Sequence, residues 1–139
     1  MDRKKLLARI VILMILLFIF DRLASKFYWY FTVWWFDMPM HFFGGIWVGL
    51  FFLYAYKVKN ISLRSVIEVT LSVLVMGILW EIFEFYVFNG IGRYPFDLLD
   101  TFSDIFFDLA GGLTAVWYVS RRIMPVTENT VQLTNVKDR

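Results

Sequence analysis

The chain of 139 residues is 60% hydrophobic and 21% aromatic against 19% charged, whereas a soluble domain of this size is about half apolar and a quarter charged. It contains no cysteine, which excludes disulfides, iron–sulfur clusters and thiolate zinc sites. Its net charge of +2 is small and dispersed, and gives no footprint for nucleic acid.

The composition predicts an all-α integral membrane protein, with room for one small helical bundle and little else. The opening "MDRKKLLARIVILMILLFIFDRLASKF" has the basic start and apolar run of a signal peptide, but Asp21-Arg22 follows and no small-x-small cleavage site is present. It is read as a retained first helix. Four transmembrane helices are expected, at residues 6–24, 39–56, 65–88 and 100–119, each near the ~20 residues that cross ~30 Å of hydrocarbon. Between the first two lies "FYWYFTVWWF", residues 27–36, whose aromatic density suits a segment lying at the membrane–water interface. "KVKNISLR" and "NGIGRYPFD" read as the later connections, with Gly and Pro marking turns. Residues 1–124 form the membrane domain, and the polar, aperiodic residues 125–139 are expected to be a disordered tail.

Lys and Arg collect in the cytoplasmic loops of membrane proteins. Four spans would place Arg3, Lys4, Lys5, Arg9, Lys57, Lys59, Arg64, Arg121 and Arg122 on one side, against Arg22, Lys26 and Arg93 on the other. A multi-pass protein of the cell membrane with both termini cytoplasmic follows. That topology gathers Asp37, His41, Glu81, Glu84, Asp97, Asp100, Asp104 and Asp108 in the extracytoplasmic leaflet.

Residues three or four apart share a helix face. Asp37, His41, Gly45 and Gly49 form one stripe, Gly77, Glu81 and Glu84 a second, and Asp100, Asp104, Asp108 and Gly112 a third. Glycines let membrane helices approach closely, and Gly45-Ile-Trp-Val-Gly49 has the small-xxx-small form of such contacts. The polar faces are therefore the expected packing faces, and they outline a shaft open outward and closed below. Glu81, Glu84, Asp104 and Asp108 lie a turn or more inside their spans, where capping cannot explain them. Each buried carboxylate costs about 2.5–3.5 kcal/mol, so four left uncompensated amount to ~10 kcal/mol.

Protonation, pairing with Arg93, or a metal ion could offset that cost. A divalent ion (Mg, Ca, Mn or Zn) held by Glu81, Glu84, Asp104 and Asp108 answers it most directly, because oxygen-rich sites suit such ions. His41, Glu81 and Asp104 are the candidate catalytic groups, and Arg93, Asp37 and Asp100 the candidate substrate-binding groups. For Asp37, Asp97 and Asp100, helix capping is the competing reading. Arg93 could equally snorkel or clamp a lipid phosphate.

The order "DMPMHFFGG", "GILWEIFEF" and "DLLDTFSDIFFDLAGG" resembles the VanZ-like and YjdF-like small membrane proteins of bacteria and archaea, over residues 37–119. The resemblance implies a polytopic helical fold and, through VanZ itself, an association with teicoplanin resistance; it supplies no reaction. The sequence departs from the VanZ pattern by lacking the lysine that commonly follows the aspartate at Asp37, and by placing Glu84 where glutamine is often found.

Three functions are compatible with these residues. The first is a metal-dependent membrane hydrolase or transferase acting on a lipid or lipid-linked envelope substrate. The second is a cation or proton conduit completed by homo-oligomerisation. The third is a nonenzymatic module that binds a lipid or a partner protein.

Overall fold

A computed structural model describes residues 3–58, 60–90 and 98–123, and every element among them is helical. The order is α1 (Arg3–Phe27), α2 (Trp29–Thr32), α3 (Asp37–Ala55), α4 (Leu63–Gly90) and α5 (Leu98–Tyr118), with one π-helical turn, Val119–Ile123, continuing α5. The tail predicted at 125–139 lies outside the described residues.

Helix boundaries exceed the apolar runs for local reasons. At the start of α1, Arg3, Lys4 and Lys5 are good helix formers that extend the helix beyond its apolar stretch. Ahead of α4, the Ser62 hydroxyl accepts the Ser65 backbone N–H at 3.3 Å, an N-cap that starts the helix two residues before the expected position 65. In α3, Pro39 occupies the first turn, where a backbone N–H has no intrahelical partner to lose. The helix therefore begins at Asp37, and Asp37 lies inside it four residues before His41, instead of capping it from outside.

Among the described residues, two helices, Asp37–Ala55 and the Leu63–Val87 part of α4, are long and apolar enough to cross a membrane. The other two expected spans are interrupted by charge, α1 by Arg9, Asp21 and Arg22 and α5 by Asp104 and Asp108. All the long helices nevertheless expose large apolar side chains: Ile12, Met14 and Phe18 on α1, Phe43 and Phe51 on α3, Leu71, Leu79 and Phe83 on α4, and Phe102, Phe106 and Trp117 on α5. Such continuous apolar surface is what a hydrocarbon solvent selects and what water would drive to aggregate.

Packing centres on α3 and α5, with α4 laid against α5 and α1 against α3. Ser65, Val69, Val73 and Gly77, each four residues apart, are the buried positions of α4, a single narrow stripe. Leu6, Ile10, Leu50, Leu53, Val69, Val73, Ala115, Val116 and Val119 form the core. These positions lie toward the N-termini of α1 and α4 and the C-termini of α3 and α5, so the core fills one end of the bundle. Arg3 and Arg9 belong to that same end, their guanidinium carbons 4.6 Å and 5.1 Å from the ring centres of Tyr54 and Tyr118. His41, Asp104 and Asp108 are buried toward the opposite end.

Between the two ends, α3 and α5 touch backbone to backbone. A Cβ on Gly45 would fall onto the Asp108 carbonyl, and one on Gly111 onto the Phe42 carbonyl. Gly49 faces Gly112 and Ala115 in the same interface, where an added Cβ would lie 2.9 Å from the Ala115 Cβ. Only hydrogen at these positions lets the helices approach so closely. On the other side of α5, a Cβ on Gly112 would come within 2.7 Å of Val73 Cγ2.

Candidate functional site

His41 is the centre of the polar end. Its Nδ1 lies 3.4 Å from Asp108 Oδ2, while Nε2 lies 3.7 Å from Asp37 Oδ1 and 3.9 Å from Asp104 Oδ2. The first spacing is a long hydrogen bond and the other two exceed hydrogen-bond range. With the proton on Nδ1 directed at Asp108, the Nε2 lone pair faces Asp37 and Asp104. This is the arrangement in which an outer carboxylate fixes the tautomer of a metal-binding imidazole.

Two sets of donors converge on this histidine. Asp37, His41 and Asp104 form one and His41, Glu81 and Glu84 the other, with the ligand atoms of each set within 4.8 Å of one another. Donors bound at 2.0–2.6 Å to one ion stand about 3–5 Å apart, so both sets have a suitable span. Of the four acids expected to hold metal, Asp104 falls in the first set and Glu81 and Glu84 in the second. Asp108 joins neither and instead holds the ring of His41.

Burial separates these acids by environment. Asp104 is 2% exposed, and its Oδ1 is buried with no hydrogen-bond partner. Glu81 accepts a hydrogen bond at Oε2 from the Thr101 hydroxyl at 2.8 Å, while its Oε1 is buried without one. Asp108 fits tightly between His41 and α4: a Cβ on Gly77 would lie 2.7 Å from Asp108 Oδ2. Gly77 thus gives Asp108 the room from which it reaches the imidazole.

Asp100, expected at the substrate, sits exposed in the first turn of α5, where an acid suits the helix dipole. Arg93 and Asp97 lie outside the described residues.

Two groups at this end were not singled out by the sequence reading. Thr101 stands three residues before Asp104 and so shares its helix face. Tyr30 belongs to the aromatic run. Its hydroxyl donates to Asp21 Oδ1 at 3.3 Å, and its ring meets Phe36 edge-on at 5.3 Å. Arg22 binds the same Asp21 through Nε at 2.9 Å. Burial, followed by the carboxylates of Asp21, Asp37 and Glu84, pushes the Tyr30 hydroxyl above its ordinary value. It remains a neutral donor at physiological pH, at the end of the bundle that holds the acids.

A model of the family described as "Predicted membrane protein (DUF2238)" matches residues 1–124. The chain belongs to that family. The match covers all five α-helices, those that expose apolar surface and those that gather His41 and the acids alike. No curated protein and no solved structure matches the chain.

The Asp108–His41 contact carries a direct test within this DUF2238 protein. Asp108→Asn keeps the shape but can offer Nδ1–H only an amide in place of a carboxylate. Loss of such an outer partner typically lowers metal affinity about 10–100-fold. If the site holds a metal ion, that drop, measured by competition with a fluorescent chelator, is the expected result, with the far-ultraviolet circular dichroism spectrum unchanged.

Proposed function

We propose that the chain is a four-span membrane protein in which Asp37, His41 and Asp104, flanked by Glu81 and Glu84, hold a divalent metal ion that serves chemistry on a lipid or lipid-linked envelope substrate. The observation that carries this reading is Asp104: an acid 2% exposed, with one oxygen facing His41 Nε2 and the other without a partner. A buried carboxylate needs a cation or hydrogen-bond donors. With the His41 proton on Nδ1, the nearest neighbours are another carboxylate and the acceptor nitrogen of a histidine, and a divalent ion would satisfy all three together.

Each residue has a part in that chemistry. Asp108 orients His41, and Thr101 holds one Glu81 oxygen while the other stays buried without a partner. Glu84, in the second donor set, lies one turn beyond Glu81 along α4 and is placed to exchange a proton with a substrate or water. The ion would polarise a phosphoryl or acyl oxygen.

The separation of basic and acidic ends supports an outward-facing site under the positive-inside rule, with both termini in the cytoplasm. The likeness of "DMPMHFFGG" and the two later stretches to VanZ-like and YjdF-like proteins is in keeping with work at the cell envelope.

A cation or proton conduit is less well supported. Beneath Asp108 the bundle continues as Gly112 against Val73, then Ala115, Leu50 and Leu53, all buried and apolar. Proteoliposomes containing the protein are expected to show no more cation or proton flux than empty vesicles under an imposed potential.

The reading is tested by elemental analysis of protein purified in detergent without added chelator, beside His41→Ala. About one divalent ion per chain in the wild type and none in the variant is the expected result. Wild-type protein that neither carries metal nor binds Mg, Ca, Mn or Zn at millimolar concentration would rule it out.

A further inference from the structure

At the apolar end of the bundle, Arg9 poses a problem separate from the acidic site. It lies in the second turn of α1, half-buried, with its guanidinium carbon 5.1 Å from the ring centre of Tyr118 on α5. Its NH1 is buried and has no hydrogen-bond acceptor. The Tyr118 ring satisfies part of the charge, but a π face does not replace an oxygen in the plane of the guanidinium fork.

A second donor is orphaned at the same level. Arg3 at the start of α1 meets Tyr54 at the end of α3, and the two helices pack together, so they run antiparallel. Six residues into α1 and seven back along α3 are about 9 Å and about 10.5 Å from that contact, which puts Arg9 and Trp47 at nearly one height. Trp47 is seven residues from Tyr54 and shares its α1-facing side of α3. Its indole Nε1 is likewise buried with no partner. Two N–H donors thus lie at one depth without an acceptor, near the end where Arg3, Lys4 and Lys5 begin the chain.

We infer that Arg9, backed by Tyr118 and with Trp47 at the same level, is a binding site for a phosphate anion, entered from the end of the bundle that carries the N-terminus. A planar guanidinium with a free edge is suited to phosphate oxygens, and the surrounding positive charge favours an anion over a neutral acceptor. A phospholipid headgroup and free phosphate share this chemistry. The site is remote from His41 and does not depend on whether metal binds there.

The test uses the full chain in neutral detergent. Unfolding temperature and lipid adducts in native mass spectra are followed on titration with phosphatidylglycerol, the phosphate-free diacylglycerol of the same acyl chains, or sodium phosphate. Wild-type protein is expected to prefer phosphatidylglycerol to diacylglycerol by roughly tenfold, the value of one charge-assisted contact. Arg9→Gln is expected to abolish the preference. Arg9→Lys, which keeps the charge and loses the fork, should weaken it several-fold, and it carries the test if the glutamine variant does not fold. Phosphate that stabilises the wild type but not the Arg9 variants would identify a soluble ligand, whereas Arg9-dependent selection of phosphatidylglycerol without a phosphate effect would identify a lipid. Equal response to both lipids with no effect of phosphate, or a preference that survives in Arg9→Gln, would overturn the inference.

Discussion

Asp104→Asn is expected to strip the protein of divalent metal and, at the same time, to raise the melting temperature of the metal-free form. The two effects have one cause. Asp104 is buried with an unpartnered oxygen, and its other oxygen faces a histidine nitrogen in a cluster of carboxylates. Without an ion, burial of that carboxyl group opposes folding; an amide of the same shape removes the ionisable group and leaves the packing intact. Since a carboxylate at membrane depth costs about 2.5–3.5 kcal/mol, the gain in the metal-free protein should be about 1–3 kcal/mol, part of the relief being lost to imperfect hydrogen bonding of the amide. Metal affinity should fall by more than the ~10–100-fold that loss of an outer partner produces, because a direct donor is gone. Thermal unfolding after chelation and metal content after desalting measure the two arms. If the acids merely hold the helices together, the variant will instead melt lower and nothing will distinguish it by metal content, and the metal reading fails.

The second large effect is expected from one methyl group. Gly44 and Gly45 are adjacent in sequence, yet a Cβ on Gly44 would meet nothing nearer than Asp108 Oδ1 at 3.9 Å, whereas a Cβ on Gly45 would overlap the Asp108 backbone carbonyl. Gly44→Ala should be neutral or stabilise by up to about 1 kcal/mol through helix propensity. Gly45→Ala must push α3 away from α5, and overpacking of this kind costs about 1–3 kcal/mol or more when the obstacle is backbone. It should also weaken metal binding, because His41 and Asp108 lie on opposite sides of the displaced contact. Paired melting curves and metal titrations of the two variants decide the matter. Equal behaviour of both alanines would contradict the close approach of α3 and α5.

The stripes that build the site were legible because helical periodicity is a property of the sequence alone. Spacings of three and four put His41 with Gly45 and Asp104 with Asp108, and burial of these faces follows from their being too polar for lipid and too small to keep helices apart. The role of Asp37 was harder to see. Spacing already put it on the His41 stripe, but an aspartate two residues before a proline also has the form of a cap, and it is the tolerance of a first turn for Pro39 that lets the helix begin at Asp37. The division between Asp104 and Asp108 was not legible either, since both are acids on one stripe. It depends on Gly77, a residue of another helix, leaving space for Asp108 to turn toward Nδ1. Thr101 and Tyr30 were hidden for the same reason: their partners, Glu81 and Asp21, belong to other helices, and no local spacing encodes such a pairing. Charge within α1 and α5 also blurs the count of spans, which apolarity alone recognises in α3 and α4.

The mirrored contacts of Gly45 and Gly111 have a consequence for ion choice. Asp37 and His41 are carried by α3 and Asp104 by α5, so the gap between these possible donors follows the distance between two backbones in contact. Mg–O and Ca–O bonds differ by only about 0.2–0.6 Å, which is less than the displacement a single methyl group would force between these helices. If the site holds a metal ion, these glycines limit how far apart its donors on α3 and α5 can stand, through main-chain contact.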